Sequence, residues 1–193
     1  DEPSRRAAEV IERNGQILTQ LVSDVLDMSA VVAGKTRLEI AVVDLLAVLE
    51  GGCEVVTPAA RAKGLTVVKE VPPAPLNIAG DSRRLHQVFW NLLSNAVKFT
   101  RAGGTVTVRV FVHTDNVVVT VSDTGTGIDA AFLPRIFERF SQGDTGVTRE
   151  YGGMGIGLGL VRHYVELHGG TVAAHSGGRA RGSTFQVLLP RRP

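Results

Sequence analysis

Cysteine is nearly absent: Cys53 is the single one among 193 residues. No intramolecular disulfide and no cysteine-based zinc site can form, and a reducing compartment fits that usage. Charge of one sign is lacking too, since the net charge of +2 is too small to argue for nucleic acid or an anionic membrane. Basic residues do cluster at Arg83-Arg84, Arg179 with Arg181 and Arg191-Arg192. Aromatics do not interleave with them, so these clusters read as solvated faces. No apolar run reaches the ~20 residues that span a bilayer, and no signal peptide opens the chain. There is no internal repeat. What remains is 44% hydrophobic and 21% charged, an ordinary soluble composition long enough for one cored domain and an appendage.

The first unit runs from Pro3 to Ala33. Ile11, Asn14, Leu18, Leu21, Val25, Met28 and Val32 alternate at spacings of three and four, and Val10, Ile17 and Val31 widen that seam into a bundle-type face. Gly34 sits at the expected C′ position with Lys35 beside the negative helix end. Such a helix needs partner helices that the chain does not contain, and its first residues already read as mid-helix, as expected of a piece of something longer. Ala33-Gly34-Lys35-Thr36 is not a P-loop: Ser29 stands where the first glycine belongs, and the motif closes a helix instead of opening one.

Residues 34–43 read as an extended connector and 44–193 as a second domain. Asp44 caps a helix that runs to about Lys63, weakened by Gly51, Gly52 and Pro58. Leu65 to Val71 alternates as a strand, and Pro72-Pro73-Ala74-Pro75 makes a turn. Thr105 to Val112 and Val117 to Ser122 form a hairpin, a short helix covers Ala130 to Ile136, and Ser141 to Gly153 is a glycine-rich loop. A last helix opens in the run Gly153 to Gly159 and ends at His168-Gly169-Gly170. Strands at Thr171 to Ser176 and Ser183 to Leu189 close the chain.

The chemistry concentrates between Leu85 and Thr100, a helix capped by Asp81. At ~100° per residue, Gln87, Asn91, Asn95 and Lys98 share a stripe about 80° wide on a helix otherwise apolar around most of its girth. A carboxamide oxygen suits a hard cation and an ammonium suits phosphate; the competing reading is satisfied core amides with Lys98 reaching solvent. The run Gly153-Met-Gly155-Ile-Gly157-Leu-Gly159 fails the Rossmann pattern, because Leu158 occupies the place of its third glycine. It can still open an anion-binding helix start, or mark a close helix-sheet contact.

Taken together, these motifs resemble the catalytic ATP-binding domain of sensor histidine kinases in the GHKL superfamily. Asn91-Leu-Leu-Ser-Asn95-Ala-Val-Lys98-Phe-Thr is similar to the N box, Asp123-Thr-Gly125-Thr-Gly127-Ile to the first glycine box and Phe137-Glu-Arg-Phe140 to the F box. Gly153-Met-Gly155-Ile-Gly157 is similar to the second glycine box and Gly182-Ser-Thr184-Phe185 to the last. The first helix resembles the second helix of the family's dimerisation and phosphotransfer bundle.

The resemblance implies an α+β, Bergerat-type two-layer sandwich, a mixed and mostly antiparallel sheet with helices on one face, preceded by a long bundle helix at residues 1–33. ATP would lie between helices under a lid. Asp123 would accept a hydrogen bond from the adenine amine, where guanine carries a carbonyl. Gly125 and Gly127 would let backbone approach the base. Asn95 would hold Mg²⁺ with Asn91 on the same wall, an ion that keeps several waters and few protein ligands. Lys98 would neutralise phosphate, while Gly153, Gly155 and Gly157 would cradle the phosphates. Arg149, Tyr151 and Thr184 complete the implied nucleotide contacts, and Phe137 with Phe140 would hold the lid base by burial.

One departure matters. No histidine precedes His86, and nothing like His-Glu-x-x-Arg-x-Pro occurs. His113, His163, His168 and His175 read as surface or packing residues. The implied partners are a second copy, joined through bundle helices, and a response-regulator receiver domain. The implied place is the cytoplasm, under a parent that could be membrane-anchored. A hydrolytic ATPase of the gyrase branch would carry Glu where Asn91 stands, as base for water. A nucleotide-binding interaction module is the third alternative.

Overall fold

The computed structural model describes residues 15, 18–19, 22–141 and 155–191. The chain forms two compact units, Asp1–Arg37 and Leu38–Pro193. In the first, residues 22–32 are helical (α1). Gly34, at φ +64°, closes it as the C′ residue, and the Lys35 amide reaches back to the Ala30 carbonyl at 3.0 Å. Of the seam residues described, Met28 is buried whereas Leu18, Val25 and Val32 are exposed. Among the described residues no helix is long and apolar enough to cross a membrane.

The second unit begins with a strand where the sequence predicts extended connector. β1 (Ala41–Asp44) pairs antiparallel with β3 (Asn77–Gly80) as a separate two-stranded sheet. Four-residue strands are too short to show a period. Asp44 ends β1 and caps α2 (Leu45–Ala62), its carboxylate accepting from the Leu46 amide at 3.0 Å. Pro58 lies inside this helix, and Gly52 faces the Leu93 side chain, so α2 and α3 approach closely. Propensity predicted a weakened helix; burial of Leu45, Val48, Leu49, Cys53 and Val56 overrides it.

α3 (Ser82–Phe99) starts at Asp81, whose Oδ1 accepts from the Arg84 amide at 3.1 Å. The main sheet has the order β2-β4-β5-β7-β6, with β2 (Thr66–Glu70), β4 (Thr105–His113), β5 (Asn116–Asp123), β6 (Thr171–His175) and β7 (Ser183–Pro190). Only β2 with β4 is parallel; the other pairs are antiparallel. α4 (Gly157–Leu167) joins α2 and α3 on one face. Val106, Val108 and Val110, with Val117, Val119, Val121, Phe185, Val187 and Leu189, alternate onto that face and are buried. Leu85, Phe89, Leu92, Leu160 and Val161 meet them from the helices. The fold is therefore α+β, a two-layer sandwich with a mixed sheet. The helix expected over Ala130 to Ile136 is only a 3₁₀ turn, Leu133–Arg135, with Pro134 inside it.

Candidate nucleotide-binding site

Asp123 ends β5, opposite Ser183 of β7 and Val106 of β4. Its Oδ1 accepts from the Gly125 amide at 2.8 Å, and its Oδ2 accepts a hydrogen bond from the Ser183 hydroxyl. Burial pushes the carboxyl above the usual carboxylate range; the bonds from Ser183 and Gly125 oppose that shift without cancelling it. Thr184, the neighbour named from the sequence, projects from the other side of the pleat and pairs its hydroxyl with Ser122 Oγ at 2.9 Å. Ser183 is the residue that holds Asp123. Strand parity, readable once β7 is known to pair with β5, is the signal that distinguishes the two.

Two positions in the loop after Asp123, Gly125 and Gly127, admit no side chain. A Cβ on Gly125 would fall well inside contact distance of the Phe99 carbonyl oxygen and 2.7 Å from Asp123 Oδ1. Gly127 has φ +67° and faces the Gly178 carbonyl, so it needs glycine for both conformation and space. The loop is pinned from two sides. The Ala180 amide donates to Thr126 O at 2.6 Å, and Ser176 Oγ accepts from the Ile128 amide at 3.0 Å while donating to Gly182 O at 2.7 Å. From α3, the Phe99 carbonyl accepts the Thr126 amide at 3.1 Å.

That last bond ties the amide stripe of α3 to Asp123. A helix leaves its final carbonyls unsatisfied; here Phe99 O goes to the glycine loop. The Lys63 amine, from the end of α2, takes Val97 O at 2.9 Å, Lys98 O at 2.8 Å and Thr100 O at 3.4 Å. Burial pulls the pKa of Lys63 below the ordinary lysine value. Lys98, half-buried, has its amine 5.1 Å from the Phe99 ring centroid, and burial lowers its pKa too. Asn95, one turn earlier, is half-buried. Asn91 is buried, its Nδ2 donating to Gln87 O at 3.0 Å. Its Oδ1 touches the first turn of α4, lying 2.6 Å from where a Cβ on Gly157 would sit.

The start of α4 has Ile156 at its N-cap and no side chain capping it. Gly155, at φ +68°, packs against the Ser141 carbonyl. Phe137, half-buried, meets Phe185 edge to face at 6.2 Å, whereas Phe140 is 64% exposed and does not share the expected burial. Its φ of +57° lies in the left-handed region. Arg149, Tyr151 and Gly153 lie outside the described residues. A cavity of about 310 Å³ opens at this end of the sheet, lined by residues that include Asp123, Leu133, Arg181, Ser183 and Thr184. Asn91, Asn95 and Lys98 do not line it; they connect to Asp123 through the end of α3.

Two further tethers escaped sequence reasoning. His168, read as packing or surface, accepts the Asp81 amide on Nε2 at 2.9 Å, with Nδ1 2.7 Å from Tyr164 O. Arg84 donates to Tyr164 Oη at 2.7 Å. Both lock α3 to α4, and neither partner is near in sequence.

A family model described as histidine kinase-, DNA gyrase B-, and HSP90-like ATPase matches residues 80–193, more than half of the chain. Hybrid signal transduction histidine kinase D of Dictyostelium discoideum is 36% identical over 98% of this chain and 14% of its own length. The circadian input-output histidine kinase CikA of Synechococcus elongatus is 37% identical over 99% of this chain and 26% of its own length. The chain thus spans about a quarter or less of these relatives. Among solved structures, full-length ShkA in complex with AMPPNP superposes with a TM-score of 0.79 at 32% identity, covering 96% of this chain and 38% of that one. The mycobacterial sensor histidine kinase MprB gives 0.69 at 28% identity, over 80% of this chain and 99% of that one.

Proposed function

The chain belongs to the family of histidine kinase-, DNA gyrase B- and HSP90-like ATPases, and from that premise we propose that it is the ATP-binding module of a sensor histidine kinase. It would bind Mg-ATP and pass the γ-phosphate to a histidine on another helix, since none precedes His86 here. The observation that carries this reading is Asp123, a half-buried carboxylate held in place by Gly125 and Ser183 beside a glycine turn. An acceptor so fixed selects the exocyclic amine of adenine. A guanine carbonyl in the same place would leave two acceptors facing each other.

The donor set fits Mg²⁺. Among the described residues no cluster of His, Cys, Asp and Glu could cage a metal, and Mg²⁺ carried by a nucleotide would need only one or two protein oxygens. Asn95 would supply one of them, with Asn91 holding the wall against α4. When bound, the ion neutralises and orients the phosphates. Lys98 would add charge at the C-terminal end of α3, and the uncapped amides from Gly155 and Gly157 would receive phosphate oxygens. Arg149, Tyr151 and Gly153 belong to this proposal on sequence alone. Phosphoryl transfer asks mainly for positioning and charge neutralisation, and Asn91 cannot act as a base toward water, so transfer is favoured over hydrolysis. Its expected partners are a second copy, joined through bundle helices, and a receiver domain.

The test is phosphotransfer. Incubated with γ-labelled ATP, Mg²⁺ and a histidine-bearing bundle helix added in trans, the chain should give acid-labile, base-stable label on that helix. Label released only as free phosphate would refute the transfer reading.

A further inference from the structure

We propose that Lys63 is a positioning residue for adenine nucleotide binding: its amine fixes the C-terminus of α3 and, through the Phe99 carbonyl, the loop that sets Asp123. This rests on the nucleotide reading above but names a residue outside the nucleotide motifs, at the far end of another helix.

The carbonyls at the end of α3 make the case. Thr100 N and Thr100 Oγ1 both go to Ala96 O. The following carbonyls, Val97, Lys98 and Thr100, converge on the one amine of Lys63, and the remaining one, Phe99, is taken by Thr126. An ammonium with three donors at a helix C-terminus satisfies orphan acceptors and opposes the negative end of the dipole together. Removing it leaves three carbonyls to find other donors, and the turn that carries them is free to unwind.

That turn has no slack to absorb. Gly125 packs so tightly on the Phe99 carbonyl that no Cβ would fit, and the Gly125 amide is itself the donor to Asp123 Oδ1. A shift of Phe99 O therefore moves a carboxylate two residues from its contact. Lys63 controls a second route as well. Its own carbonyl accepts the Gly103 amide at 3.2 Å, just ahead of β4. β4 in turn sets the end of β5, with Val106 opposite Asp123 and the Thr105 amide donating to Thr124 Oγ1 at 2.9 Å. The side chain and backbone of one lysine thus reach Asp123 by the helix and by the sheet.

The test titrates the whole chain with AMPPNP and Mg²⁺ by calorimetry, at a temperature where every variant is folded. Lys63→Met, which keeps the stem and removes the donors, should weaken binding at least roughly tenfold, the equivalent of one charge-assisted hydrogen bond. Lys63→Arg, which keeps donors and charge, should recover most of the affinity. By amide exchange, Thr126 should lose protection in Lys63→Met by more than the amides of β4 and β5 do. A lysine that only stabilised the fold would leave the affinity of folded protein unchanged, and that result overturns the proposal. Where Lys63→Met does not fold, Lys63→Gln is read by the same criterion. Asp123→Asn separates the two levels: wild-type binding lost in Asp123→Asn but kept in Lys63→Met defeats the positioning role alone. A wild-type chain that binds no nucleotide defeats both.

Discussion

Substituting alanine at Gly125 perturbs the proposed site through one atom. No positive φ is involved, so the cost is purely one of space. The new Cβ would overlap the Phe99 carbonyl oxygen and sit 2.7 Å from Asp123 Oδ1. An ordinary C···O contact needs about 3.3–3.6 Å, so the loop must retreat by roughly an ångström. Two hydrogen bonds span that gap, Thr126 N to Phe99 O at 3.1 Å and Gly125 N to Asp123 Oδ1 at 2.8 Å. Losing a neutral bond costs about 0.5–1.5 kcal/mol and losing one to a charged group about 1.5–3. Gly125→Ala should therefore destabilise the domain by about 2–4 kcal/mol in urea unfolding. In the folded variant the displaced Asp123 should cost a further 10- to 150-fold in ATP affinity, about one charged hydrogen bond. Gly51→Ala is the control. Its Cβ would meet only His86 at an ordinary 3.4 Å, inside a helix where alanine is favoured, so stability should rise by up to about 1 kcal/mol. Wild-type ATP affinity in Gly125→Ala would refute the claim that this loop positions Asp123.

Asp123 also sets a pH dependence. Binding a donor favours the carboxylate, so affinity for adenosine, which lacks titrating phosphates, should be constant at neutrality. It should fall as the solution is acidified through the raised pKa, above the ordinary carboxylate range. Ser183→Ala removes a bond that opposes the rise and should move the fall to higher pH; an unmoved profile would deny Ser183 its role. Asp81 runs the other way. Burial pushes its pKa up, but the Glu39 and Arg84 amides and the Arg83 charge outweigh this and leave it low. A depressed carboxyl contributes stability above its unfolded pKa and loses it as pH falls through the folded one. Asp81→Ala should cost about 1–2 kcal/mol near neutrality, as a lost N-cap does, and less in acid. Equal cost at both pH values would contradict that assignment.

The parts legible in the sequence are those whose chemistry is compressed into adjacent residues. The stripe Asn91–Asn95–Lys98 follows from helical period alone, and the caps Asp44 and Asp81 from residue type at a boundary. The hairpin β4–β5 follows from valine alternation broken at Asp115-Asn116. Illegible parts depend on partners far away in the chain. β1 became visible only through its pairing with β3, because Ala41–Asp44 is too short for a period to show. Lys63 read as the last residue of a helix, and nothing local says that its amine crosses to the carbonyls of Val97, Lys98 and Thr100. Ser183 and Thr184 are chemically alike, and strand pairing alone assigns Asp123 to the first. Phe140 matches the apolar pattern of the F box, yet it sits exposed on a left-handed backbone.

The central claim is that a carboxylate at the end of β5 chooses the purine, and competing ATP against GTP on one protein tests it most directly. Calorimetry in Mg²⁺ should show ATP binding and GTP at least two orders of magnitude weaker, with the preference gone in Asp123→Asn. Equal affinity for the two nucleotides in the unsubstituted chain would contradict the account.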